Sequence, residues 1–411
     1  MLMGHNIICF APNDWWGMNP SCATHIMLRL ARHNRVLFVN PFSSDMSGAQ
    51  RRGILARIAR KARSMGRFLR RPHRNLYVFS PIFIPIQGKR FVDRLNNIIL
   101  KLQMRAVCRI AGISKPMLWV ENLRASDMLE WFDSEAVIYH VSDLFTRCKY
   151  TANREALELR EQNIIERSDA VICVSEQLYS LMSARHSRVY YVPHGVDFQL
   201  FRHAAENGDF LPELAGIPRP IAGYFGTLTA NNDIELLDYC ARNLPDVSFV
   251  LAGQITGGDY SQLLGRPNVR HLGKLPYQKI PLLCAGFDVC MLAWRVTDWI
   301  RNCNPLKLFE YMASGRPIVS VRIDEVVNRY SEVMSVANDK EEFCRLLVYE
   351  LANDTAERAA RRIKEASEHN WDAVVLQLSQ LMGGALSTRE AAAEGAGVAA
   401  ALGAKVRGIS K

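Results

Sequence analysis

The sequence predicts an α/β protein of two parallel sheets, each wound with crossover helices, facing one another across a central cleft. Three observations carry this. Short apolar, β-branched runs alternate with helical patterns along nearly all of the 411 residues. The runs are continuously apolar, as suits strands covered on both faces. The pattern also restarts midway, after a polar stretch with Gly208, Pro212, Gly216, Pro218 and Pro220. At this length two or three domains with ample core are expected.

Taken in order, the first half supplies strands at Ile7–Phe10, Val36–Val39, Leu76–Phe79, Leu118–Val120, Val137–His140, Val171–Val174 and Tyr190–Val192. The second supplies Ile221–Phe225, Phe249–Ala252, Val269–Leu272, Val289–Ala293 and Ile318–Val321. Residues 1–197 form the first domain on this reading, 198–220 a loop-like linker, and 221–365 the second domain. Glu341 to Leu381 reads as two or three helices, of which 366–384 is expected to cross back to the first domain. The Ala- and Gly-rich end, 385–411, is expected to be a flexible tail, with helix the alternative that its Ala content offers. Each half opens alike, with a strand, a loop and a helix, and in open parallel sheets ligands bind just outside the carboxyl ends of strands.

The formal charge is +10, and it is localised. Ten bases fall between Arg51 and Arg74 with no acid among them, and outside this segment bases and acids balance. Nucleic-acid binding across a surface is therefore not expected. Ile54, Leu55, Ile58, Ala62, Met65 and Leu69 recur among the bases at helical spacing. A basic amphipathic helix over 51–74 reads as an element for an anionic membrane surface; RNA binding and an ordinary solvated helix are the alternatives. No apolar run is long enough to span a bilayer, and the first ten residues lack a signal-peptide pattern. The cysteines are scattered without a Cys-x-x-Cys pair, so buried small hydrophobes in a reducing cytoplasm are expected rather than zinc sites or disulfides.

The clearest chemistry lies in Asn304 to Ser320. Asn304 reads as an N-cap, Pro305 as the first helical residue, and Gly315 with Pro317 as the stop. Lys307 and Glu310 lie three apart and project from one face near the helix N-terminus. That end attracts an anion, Lys307 adds a full charge beside a diphosphate, and Glu310 can accept from ribose hydroxyls. An ordinary surface Lys–Glu pair is the alternative. After the strand ending at Phe225, Gly226 and Thr227 make a tight turn whose N–H groups and hydroxyl can approach the diphosphate. No Asp-x-Asp occurs, which fits a metal-independent site needing no cofactor, with helix dipole and Lys in place of a cation.

The run Pro305-Leu306-Lys307-Leu308-Phe309-Glu310-Tyr311-Met312-Ala313-Ser314-Gly315-Arg316-Pro317-Ile318-Val319 resembles the nucleotide-binding segment of GT-B glycosyltransferases, particularly family-4-like enzymes of bacterial polysaccharide assembly. Other landmarks agree in order: Gly4–Asp14 with His25, Val137–Asp143, Arg167–Val171, Val192-Pro193-His194-Gly195-Val196-Asp197, Tyr224-Phe225-Gly226 and Gly273–Tyr277. The resemblance implies the GT-B fold, with two Rossmann-like domains, and transfer of a sugar from a UDP-sugar to a lipid-linked or growing glycan acceptor on the inner face of the plasma membrane. It places the donor against Gly226, Thr227, Lys274, Tyr277, Leu306, Lys307 and Glu310.

The first acid of the family's Glu-x7-Glu is replaced by Asn302. In this the chain is similar to the inverting glucuronosyltransferase of xanthan assembly, which lacks that acid too. Its loop acid after a strand implies that Asp143 is the catalytic base; a helix N-cap is the alternative. His25 is implied to face the cleft and contact acceptor or donor; a solvent-exposed or core histidine is the alternative. Trp16 and Gly17, in the first loop, and Arg295 are candidates for sugar contact, Trp15 and Trp16 by stacking or simply by packing. Arg295 or Arg301 would pair with a uronic-acid carboxylate. Two other readings are a nucleotide-sugar epimerase on the same fold and a degenerate nucleotide-sugar-binding protein tethered to membrane or RNA. A dehydrogenase ranks below these readings, since no Gly-x-Gly-x-x-Gly follows either opening strand.

Overall fold

A computed structural model describes residues 1–16, 19–41, 66–84, 90–147 and 154–408; of residues 90, 147 and 390–408 it describes the backbone course. The first sheet contains β1 (Asn6–Phe10), β2 (Arg35–Val39), β3 (Leu69–His73), β4 (Leu76–Phe79), β5 (Met117–Val120), β6 (Ala136–Val141), β7 (Ala170–Cys173) and β8 (Val189–Tyr191), ordered β3-β4-β2-β1-β5-β6-β7-β8. All neighbours are parallel except β3 on β4. The second sheet contains β9 (Ile221–Phe225), β10 (Ser248–Ala252), β11 (Val269–His271), β12 (Val289–Leu292), β13 (Ile318–Val321) and β14 (Ser335–Ala337), ordered β11-β10-β9-β12-β13-β14 and parallel throughout.

Strand period divides the first core into two layers. Ile8 and Phe10 point into one, with Leu100, Met104 and Val107 of α2 (Arg90–Ala111), Ile164 of α3 (Arg154–Arg167) and Leu178 of α4 (Glu176–Ser183). Ile7 and Cys9 point into the other, with Ile26 and Met27 of α1 (Cys22–Leu30). The same layer holds Trp371, Val375, Leu378 and Met382 of the last helix, α14 (Trp371–Gly408), which therefore packs on the first domain. Between β8 and that helix run α5 (Phe198–Glu206), α6 (Ile234–Asn243), α7 (Ser261–Leu264), α8 (Ile280–Ala285), α9 (Asp298–Arg301), α10 (Leu306–Ala313), α11 (Asp324–Tyr330), α12 (Lys340–Asn353) and α13 (Ala356–Glu368). The second sheet and these helices share one core.

Four expectations change. The loop-like linker contains α5, whose Phe201 and Ala204 are buried in the second core with Leu211 and Leu214; its helical apolar spacing is short and masked by the glycines and prolines behind it. Residues 385–408 continue α14 as helix, in place of a flexible tail, because the stretch is rich in Ala, the strongest helix former. Of the basic segment 51–74, residues 51–65 lie outside the described residues, but Leu69–His73 is strand β3 and not helix. The antiparallel turn to β4 explains it, with Leu69 opposite Phe79. Asn304 caps nothing: Pro305 takes the cap position, and the Asn304 amide donates to Val174 O at 2.9 Å. Among the described residues, eight cysteines are buried and Cys108 is half-buried; Cys240 and Cys344 bring their Sγ atoms within 2.8 Å.

Candidate active site

The carboxyl ends of β9, β10 and β11 open on a cavity of about 210 Å3 between the two halves. Gly226, at φ +131°, turns the chain out of β9, and a Cβ there would meet Lys307 Cε at 2.3 Å. Gly253 turns out of β10 at φ +152°, where a Cβ would lie 1.8 Å from the carbonyl oxygen of Gly226. Only glycine admits both backbone and approach. The first turn of α10 faces the same space. The Lys307 ammonium lies 5.6 Å from the Tyr224 ring and 5.1 Å from the Trp294 ring, and the Trp294 indole donates to Tyr224 Oη at 3.1 Å. These rings hold the amine by cation–π attraction at the cavity wall.

Glu310, one turn on, is half-buried in the same wall. Burial raises its carboxyl from the ordinary value to about 8; Lys307 opposes the rise and Asp197 adds to it. Gly226, Thr227, Lys274, Tyr277, Leu306, Lys307, Glu310 and His25 all line this one cavity. The structure therefore brings together His25 and the donor-side set.

His25 comes from the first half. Its ring stacks on Trp371 at 5.0 Å with an interplanar angle of 10°, and its Nδ1 lies 3.4 Å from Asp197 Oδ2. Asp197 also takes Arg29 at 2.5 Å and the Tyr277 hydroxyl at 3.2 Å. Burial lowers the imidazole to about 4, so His25 is neutral at physiological pH. Gly195 fits beneath Trp371 because a Cβ would lie 2.7 Å from the indole. Asp197, Trp371 and Gly253 carried no role in the sequence reading. The Val-Pro-His-Gly-Val-Asp run that ends on Asp197 is the signal that could have found it, but nothing local pairs Trp371 with His25.

Asp143 is not among the residues that line this cavity; three residues before it, β6 delivers the buried His140. Its Oδ1 accepts from Cys303 Sγ at 3.6 Å, across the seam between the halves. Burial raises its carboxyl to about 7, against contacts with Cys303 and Trp299 that lower it. A short 3-10 turn, Phe145–Arg147, follows Asp143. Asn302 sits in the seam as well, its carbonyl accepting from Ser175 Oγ at 2.8 Å and its amide donating to Asp298 O at 2.5 Å.

Beneath Asp143, Glu121 Oε1 meets His140 Nδ1 at 2.9 Å and accepts from the Trp119 indole at 2.7 Å. Cys22, Glu121 and His140 gather their ligating atoms within 4.8 Å, so this is the place among the described residues where a metal's donors converge. Their mutual hydrogen bonds account for the arrangement equally well.

Three sugar-contact candidates are placed elsewhere. Arg295 lines an outer groove of about 850 Å3 on the second half and pairs with Glu235 at 3.0 Å, because the chain leaving β12 carries it past the cleft. Trp16 is half-buried beside Trp15, which packs edge-on against Phe38 at 4.9 Å; the Arg67 guanidinium covers Trp16 at 5.1 Å. Gly17 lies outside the described residues. Arg301 lines a separate cavity of about 600 Å3 between the halves, with Leu144, Glu176 and Asn302.

Residues 234–380 match a family described as glycosyl transferase-like. Over 214 residues the chain is 27% identical to TuaH of Bacillus subtilis (strain 168), named for teichuronic acid biosynthesis and glycosyl transfer. That match covers 48% of this chain and 52% of TuaH, about half of the relative's length. Among solved structures, sucrose-phosphate synthase from Thermosynechococcus elongatus superposes with a TM-score of 0.69 at 14% identity, over 94% of this chain and 100% of the other. Anabaena HepE in complex with UDP-glucose gives 0.64 at 15% identity, over 93% and 99%. With two facing parallel sheets, the chain has the GT-B fold, and residues 234–380 are similar to a glycosyl transferase-like family.

Proposed function

We propose that this protein transfers a sugar from a UDP-sugar to a lipid-linked or growing polysaccharide, without a metal ion. The observation that carries the reading is the convergence of Gly226, Lys307 and Glu310 on one cavity walled from the other side by His25. Glycine turns admit a diphosphate to backbone N–H groups, Lys307 supplies the positive charge and Glu310 accepts from the ribose hydroxyls. HepE, of the same fold, is crystallised with UDP-glucose. Lys274, Tyr277 and Leu306 complete the donor wall. Asp143 takes the proton of the acceptor hydroxyl as it attacks the anomeric carbon and the UDP oxygen leaves. A carboxyl held near 7 is matched to that exchange. His25 stays neutral and faces the donor, held by its stack on Trp371 and its approach to Asp197.

The same reading places the enzyme on the inner face of the plasma membrane, held to anionic lipid by the basic segment 51–74, where lipid-linked acceptors reside. The resemblance to TuaH supports a cell-surface polysaccharide as product. The test is a panel of UDP-sugars with membrane extract as acceptor source. Wild type is expected to release UDP from one donor, and Asp143→Asn to bind that donor normally while transfer falls about 100- to 10,000-fold. Binding of donors with no turnover in wild type would instead support a non-catalytic nucleotide-sugar-binding protein, and near-normal turnover in the variant would remove Asp143 as base.

A further inference from the structure

Helix α2 has two apolar faces, of which its own domain uses one. Leu100, Met104, Val107 and Ala111, spaced by four, three and four, are buried in the first core. On the opposite side Phe91, Ile98 and Leu102, spaced by seven and four, form a ridge that is 77%, 58% and 59% exposed. Isolated apolar residues on a surface need no explanation, but a ridge in helical register is a patch. Bases accompany it. Arg94 and Arg105 are exposed on one flank with the half-buried Lys101, and Arg109 ends the ridge. None of the four is in an ion pair among the described residues. The helix has five bases and one acid, Asp93.

The helix is also held in place. The Asn96 amide brackets the backbone of Ile84 at 2.7 and 3.0 Å, and Gln103 brackets Ile82 at 2.9 and 2.7 Å. The ridge is therefore presented on a rigid element, with no ordering needed before contact.

We propose that this face of α2 docks on an anionic bilayer, with Phe91, Ile98 and Leu102 entering the headgroup–acyl boundary and the four bases meeting lipid phosphates. An apolar stripe beside unpaired bases is complementary to such a surface and to little else. A second copy of the chain fits poorly, because a two-fold contact along the ridge sets Arg94, Arg105 and Arg109 against their own like. Nucleic acid offers no partner for the ridge. The inference rests on the membrane reading of the function but uses an element separate from residues 51–65.

The test uses the full chain with phosphatidylcholine vesicles, with and without phosphatidylglycerol, and UDP binding as the check that the fold and donor site persist. Phe91→Ser/Ile98→Asn/Leu102→Asn is expected to weaken co-sedimentation with anionic vesicles at least about tenfold. Arg94→Glu/Arg105→Glu/Arg109→Glu is expected to do so with a shallower salt dependence. Phe91→Trp should show blue-shifted emission on vesicle binding, quenched by brominated lipid. Unchanged emission together with wild-type sedimentation of the ridge variant overturns the proposal, and a deletion of 51–65 then shows whether that segment alone carries the binding. A wild-type dimer dissociated by the ridge variant, with no vesicle effect, assigns the face to a second copy and overturns it too. Failure of the UDP-sugar panel would sink the catalytic reading while leaving these vesicle results standing.

Discussion

Glu310 is poised at the wrong charge for a pH 7 surface acid, and that gives its proposed role a signature. Burial holds its carboxyl at about 8 in the unliganded site. The ionised carboxylate accepts two ribose hydroxyls more strongly, one on each oxygen, so donor binding is expected to release the proton. The sign is fixed: affinity rises with pH and flattens above about 8. If only the ionised form binds, a UDP-sugar should bind about twenty-fold more tightly at about pH 8.5 than at about 6.5. The diphosphate diester of a UDP-sugar does not titrate in that interval, so calorimetry across it reports the protein. Glu310→Gln should bind weakly and lose the slope. A flat profile in wild type would remove the ribose role. His25 titrates too low, at about 4, to contribute there.

At the scale of elements, the donor site is a set of strand ends, and Gly226 is where that geometry is least forgiving. A side chain there meets both a left-handed φ of +131° and Lys307 Cε at 2.3 Å. Gly226→Ala should therefore displace the Lys307 side chain from its aromatic rings and cost about 1–3 kcal/mol of stability. Donor affinity should fall with it, read by calorimetry, while thermal melting reports the strain; normal affinity would mean that Lys307 does not meet the diphosphate.

These elements were legible to different degrees, for physical reasons. Buried parallel strands such as Ile221–Phe225 and Ile318–Val321 are written as apolar runs, with Ser320 the one polar interruption, and the structure matches them residue for residue. Two of the four edge strands, β3 and β14, are not. Leu69–His73 contains Arg70, Arg71 and Pro72, and is a strand because β4 pairs with it. The three-residue β14 is too short to carry a pattern. In the site, Lys307 and Glu310 were readable because one helical turn relates them. Trp371 over His25 joins residues hundreds of positions apart, which no local spacing records.

At the scale of the whole molecule, the proposed chemistry is split. Gly226, Lys307 and Glu310 belong to the second half, Asp143 to the first, and the seam between them decides whether they act together. The seam is polar. Cys303 reaches Asp143, Asn304 reaches Val174, and Ser175 reaches Asn302. At its far end the fully buried Glu325 of α11 accepts from the Glu176 N–H at 2.8 Å and from the Tyr191 hydroxyl at 3.0 Å, both in the first half. Glu325→Ala leaves that N–H and hydroxyl without a partner, at about 1–3 kcal/mol each. Because the donor groups sit together on the second half, donor affinity should be largely kept. Transfer should fall, since Asp143 is no longer held against the segment that leads into α10. Calorimetry and turnover on the same preparation separate the two, and the melting temperature should drop as the seam loosens. A variant that loses donor affinity in step with turnover would show that the halves build the donor site jointly, and that splitting binding from proton transfer along the domain boundary is wrong.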